Sequence, residues 1–113
     1  MSRVLTGEVR LPADAPSATA ALVRIEVRDT SYADAPSVVV AAETMRDVAI
    51  HPGGTIPFAI DVPDALPAQA LSLRVHVSLD GTDRERPGDL LTTENVPVPK
   101  GPARLAPAMS VVR

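Results

Sequence analysis

A chain of 113 residues with 45% apolar content is one domain long and can bury a real core. Its formal net charge of −3 argues against a nucleic-acid surface, which needs a clustered basic face, and the absence of cysteine excludes disulfides, thiolate nucleophiles and cysteine-based zinc sites. With one Phe, one Tyr and no Trp the core has to be built from Val, Leu, Ile and Ala, and 12 prolines spread along the chain leave little room for a long helix.

Seven segments read as strands. In "RVLTGEVRL", Leu5, Val9 and Leu11 point one way and Thr6, Glu8 and Arg10 the other. The segment Leu22–Arg28 alternates strictly, with Val23, Ile25 and Val27 toward the core and Arg24, Glu26 and Arg28 toward water. "SVVVAAETM" is instead a continuous apolar run, either buried on both faces or turned toward a partner. "AETMRDVAI" has enough helix propensity for one or two turns at most, and "VPDALPAQA" for a single turn.

In "TIPFAIDV" the core set is Ile56, Phe58, Ile60 and Val62. Pro57, with no N–H to donate, predicts a sheet edge there. "LSLRVHVSLD" sets Leu71, Leu73, Val75, Val77 and Leu79 against Ser72, Arg74, His76 and Ser78. A charged loop, "DGTDRERPGD", leads to "LLTTENVPV", and "ARLAPAMSVV", interrupted by Pro107, closes the domain. The pattern predicts an all-β fold: a single small β-sandwich over residues 1–113, immunoglobulin- or prealbumin-like, of about seven to eight strands.

The pentapeptide "ADAPS" occurs at 13–17 and again at 33–37. A true repeat carries its pattern onward, but a strictly alternating strand follows the first copy and a continuous apolar run the second. Each copy reads as a turn handed to a strand, with Asp bonding nearby backbone N–H groups and Pro holding its predecessor extended.

From Arg24 onward the order of segments resembles the YbaY/YscW family of bacterial lipoproteins, which includes the pilotin-type chaperones of type III secretion. The family's turn, a strand ending in Asp followed by Ser-x-Ala-Asp-Ala-Pro and an aliphatic run, stands here as Asp29, Ser31, Ala33, Asp34, Ala35 and Pro36 within "RIEVRDTSYADAPSVVVAAETM". "GTIPFAIDVP" is similar to the family's Pro-Phe strand, and "LRVHVSLDG" and "LLTTENVPV" to the strands after it; the resemblance runs in order over roughly Leu5–Val98. It implies a small β-sandwich without catalytic residues, whose relatives assist the assembly of outer-membrane secretion parts.

The residue chemistry adds no reaction centre. His51 and His76 read as solvated side chains with no ligand spacing between them. Asp80, Asp83, Glu85 and Asp89 crowd one loop, but they miss the calcium-loop order and are interleaved with Arg84 and Arg86. No serine sits in a nucleophile elbow.

The expected function is a non-enzymatic, chaperone-like interaction module that binds a protein or peptide, or a second copy of itself, without cofactor, metal or nucleic acid. Val38, Val39, Val40 and Tyr32 form the candidate partner surface. The alternative is a small-molecule-binding sandwich, with or without hydrolytic activity. With no leader pattern and no apolar run long enough to span a membrane, the chain as given is expected in the cytoplasm. A piece trimmed from a longer protein is expected in the periplasm or at the outer membrane.

Overall fold

The computed structural model describes residues 2–31, 37–63, 70–82, 84, 86–92, 96–99 and 104–112. Every regular element among them is a strand: β1 (Ser2–Arg10), β2 (Ala18–Asp29), β3 (Val38–Ile50), β4 (Thr55–Pro63), β5 (Leu71–Ser78), β6 (Leu90–Leu91), β7 (Val96–Pro97), β8 (Arg104–Leu105) and β9 (Ser110–Val111). They form two sheets. The smaller has the order β4-β1-β8; the larger runs β3-β2-β5-β6-β9, with β7 also paired to β5.

The alternations dictate which faces meet. Leu5 and Val9 of β1 and Ile56, Phe58, Ile60 and Val62 of β4 pack against Val23, Ile25 and Val27 of β2 and Leu71, Leu73, Val75 and Val77 of β5. The two sheets thus enclose one aliphatic core, with Phe58 its single aromatic ring among the described residues. Pro57 faces outward on β4, an edge strand, where its missing N–H costs no ladder bond.

Prolines and glycines place the joins. The β3–β4 turn runs through Pro52 and Gly53, whose φ of 70° suits glycine, and closes with Gly54 N–H donating to the His51 carbonyl at 3.0 Å. At Gly7 the backbone of β8 passes so close that a Cβ would collide with the Leu105 carbonyl oxygen and lie 2.9 Å from Phe58 Cζ, so only glycine admits this parallel pairing. Pro107 ends the excursion of the chain along the small sheet. Its carbonyl accepts from Arg10 N–H at 2.9 Å, Met109 N–H donates to the Arg10 carbonyl at 3.1 Å, and the chain then crosses to the large sheet as β9.

Three expectations change. "AETMRDVAI" contains no helical turn; it is the second part of the 13-residue β3, paired with β2 through Ile50. "LLTTENVPV" holds two short strands, β6 and β7, and "ARLAPAMSVV" holds β8 and β9, which lie in different sheets. The turn suggested for "VPDALPAQA" lies mostly outside the described residues.

Candidate functional site

β3 is the last strand of the large sheet and pairs only with β2 among the described residues. Its other edge presents backbone N–H and C=O groups, a template for a further strand. Two irregularities bracket it. Val27 pairs with Ala41 but Arg28 with Val39, which leaves Val40 as a bulge; Asp47 has a φ of 55°, rare for a side chain other than glycine. Between them Ala41–Arg46 is regularly paired, about 20 Å of strand.

The side chains along this edge are unusually open. Val38 is 64% exposed and Val39 39% exposed, while Val40 is partly buried against the core. The apolar run is therefore neither buried on both faces nor covered by the chain's own described residues. Glu43 pairs with Ile25, which puts it on the core-facing side, yet it is exposed: β3 overhangs the narrower sheet.

Residues paired across a ladder share a face, so the outward face of the large sheet follows from the register. Val39, Ala42, Thr44 and Arg46 of β3 lie beside Arg28, Glu26, Arg24 and Leu22 of β2, and these beside Ser72, Arg74, His76 and Ser78 of β5. Glu26 does not face water as its alternation suggested. It is 8% exposed, held by Arg24 Nε at 3.2 Å and Arg28 Nη2 at 3.1 Å. Burial pushes its carboxyl up, but the hydrogen bonds and charges of Arg28 and Arg24 outweigh that and hold it below the usual glutamate value.

Of the turn residues, Asp29 and Ser31 are positioned by a local network. Asp29 Oδ1 accepts from Ser31 N–H at 2.9 Å and Ser31 Oγ–H at 2.6 Å, and Ser31 Oγ accepts from Ala70 N–H at 2.8 Å. On the far side of the turn Arg28 Nη1 donates to Ser37 Oγ at 3.1 Å. Tyr32, Ala33, Asp34, Ala35 and Pro36 lie outside the described residues. The first ADAPS copy is a turn in which Ala15 N–H donates to the Pro12 carbonyl at 3.1 Å and the Ala15 methyl enters the core.

The charged loop is not simply solvated. Asp89 is 2% exposed: its Oδ1 accepts from Leu79 N–H at 3.1 Å and its Oδ2 from Arg86 N–H at 3.0 Å, with His76 Nε2 also 3.1 Å from Oδ2. His76 is thus a half-buried partner of Asp89, whereas His51 is exposed. Asp80 is spent on the loop itself, accepting from Thr82 N–H and Oγ1–H and from Ser78 Oγ–H and pairing with Arg86. Asp83 and Glu85 lie outside the described residues, and among the described ones no three metal-ligating side chains converge.

The order of strands and their packing are shared with a known protein. The structure of an alternative pilotin from the type II secretion system of Vibrio cholerae matches 100% of this chain and 99% of its own, with a TM-score of 0.78 at 19% sequence identity. The chain therefore has a pilotin-like fold. No family model and no curated protein matches its sequence. Among the described residues no helix is long and apolar enough to cross a membrane.

Proposed function

We propose that this chain is a non-enzymatic interaction module that holds an extended segment of a protein partner along the free edge of β3, in the manner of a chaperone. The observation that carries the reading is the open edge itself: Ala41–Arg46 in regular strand geometry, with Val38 and Val39 exposed at one end. An exposed edge of this length is a pairing hazard unless it is used or covered. Strand addition is a common mode of peptide recognition, because backbone bonds supply affinity and side-chain alternation supplies specificity. The pilotin-like fold supports the assignment to the class of secretion-system helpers, as does the order of motifs shared with YbaY/YscW lipoproteins. Asp29 and Ser31, hydrogen-bonded to each other and through Ser31 to Ala70, serve this reading as scaffold at the end of β2.

Val39→Lys tests it. The side chain lies on the outward face, so the variant should stay folded and within about 0.5 kcal/mol of the parent in a denaturant melt. The same variant should fail to retain the partner that the parent chain pulls from its native cell. An unfolded variant, or one that retains that partner undiminished, would contradict the proposal.

A further inference from the structure

The charge around the edge is not that of the whole molecule. The chain carries a net charge of −3, yet among the described residues of the outward face of β3 and β2 three arginines, Arg24, Arg28 and Arg46, stand against one carboxylate, Glu26. Glu26 is already spent, gripped from both sides by Arg24 and Arg28. Among the described residues two other carboxylates approach this side, and both are held by the charged loop: Asp89, buried and hydrogen-bonded there, and Asp80, paired with Arg86 and bonded to Thr82 and Ser78. On β3 itself Glu43 belongs to the opposite face, and the exposed Asp47 stands where the regular pairing ends, just past Arg46.

The arginines are also within reach of an added strand. Ala42 and Thr44 are short and stand between the arginine row of β2 and the free edge. A strand added to β3 runs about 10 Å from β2, two strand spacings away, a distance that a long arginine side chain bridges across an alanine or a threonine. Glu26 holds two of these side chains in place beforehand, which cuts the entropy lost when they engage a ligand. At one end of the row, past the Val40 bulge, the exposed Val39 lies beside Arg28 and adds an apolar side chain on the same face, while Val38, paired with Asp29, belongs to the opposite one.

We propose that the segment accepted by β3 is acidic: an extended stretch whose carboxylates on the outward face meet Arg46, Arg24 and Arg28, closed by an aliphatic residue against Val39. This rests on the edge reading above and names the chemistry of its partner. A second copy of this chain is the poorer occupant. It lays another arginine row on the same face, and like charges juxtaposed on one sheet repel.

The test uses two blocked decapeptides, one of alternating glutamate and threonine closed by leucine and valine, the other with lysine for glutamate. Binding is followed by calorimetry and by residue-resolved hydrogen exchange of the protein. The acidic peptide should bind and protect amides within Ala41–Arg46, and should bind about tenfold more weakly to Arg46→Gln and to Arg24→Gln, the loss shrinking at high salt. Equal or tighter binding of the lysine peptide overturns the acidic assignment and leaves the edge reading standing. Binding of neither peptide also overturns it, while the edge reading is judged by Val39→Lys. Binding to phosphatidylglycerol vesicles with no protection of β3 assigns the arginines to a lipid surface and overturns it too. Concentration-dependent protection of β3 without peptide assigns the edge to self-association, with the same consequence.

Discussion

Replacing Asp89 by alanine is expected to lower the stability of the domain by about 3 kcal/mol, the largest effect of any change in the charged loop. Its carboxylate is the single acceptor for the backbone N–H groups of Leu79 and Arg86, on the two sides of the loop, and it lies against His76 of β5. The main chain at the same position is also committed: Asp89 N–H donates to the Arg86 carbonyl at 3.0 Å, and Val112 N–H donates to the Asp89 carbonyl at 2.8 Å. Hydrogen bonds to a charged group contribute roughly 1.5–3 kcal/mol each, and removing a buried acceptor strands its donors. Urea denaturation should show a lower midpoint with an unchanged slope. Asp80→Ala, in the same loop but exposed, should change the midpoint little. A loss below about 1 kcal/mol for Asp89→Ala would mean that the loop does not depend on this clamp.

Ile25→Asp is expected to leave no folded protein at room temperature. Ile25 is fully buried, paired with Val75 on β5 and flanked on its own strand by Val23 and Val27, which are equally buried. The substitution forfeits about 3 kcal/mol of side-chain burial and adds several more for a carboxylate with no partner. A domain of this size has only about 5–15 kcal/mol in hand. One residue earlier the outcome reverses. Arg24 is 40% exposed on its side chain, and Glu26 keeps Arg28 when Arg24 becomes glutamine, so Arg24→Gln should cost less than about 1 kcal/mol. Near-ultraviolet signals are weak with one Tyr and no Trp, so loss of dispersed methyl resonances is the readout. Equal behaviour of the two variants would place β2 one residue out of register.

That contrast shows what the sequence makes legible. The core-facing side chains of β4, β5 and the middle of β2 read correctly, because one face of each is against the core and burial imposes a period of two on the residue types. On the other face Glu26, His76 and Ser78 read as solvated but are wholly or largely buried. β3 escaped the same logic. As an edge strand that overhangs the smaller sheet it is open on both sides for much of its length, so nothing forces alternation; Ala, Glu, Met and Arg there are good helix formers, and only pairing with β2 makes them a strand.

Asp89 and Glu26 failed for a different reason. Asp89 is buried because its partners, Leu79 and His76, lie across a loop, which no local pattern announces. The partners of Glu26, Arg24 and Arg28, stand two residues away on its own strand, but alternation assigns all three to water and does not show that they close over one another. Pro107 did mark a break in the last segment, but its crossing between sheets depends on Arg10, far away in the chain. For the candidate site, the apolar run at Val38–Val40 was visible as an anomaly; that it stands at an open edge beside a row of arginines required the register.

The account turns on β3 having a free edge in the isolated protein, and residue-resolved hydrogen exchange measures this directly. In an antiparallel edge strand, alternate N–H groups point to the neighbouring strand and away from it. At low concentration and without partner, the amides of Ala41–Arg46 directed at β2 should therefore be protected with those of β2 and β5, while the intervening ones exchange at nearly the rate of an unstructured peptide. Uniform protection along Ala41–Arg46 in the dilute monomer would contradict the account, since the edge would then already be covered by the chain itself.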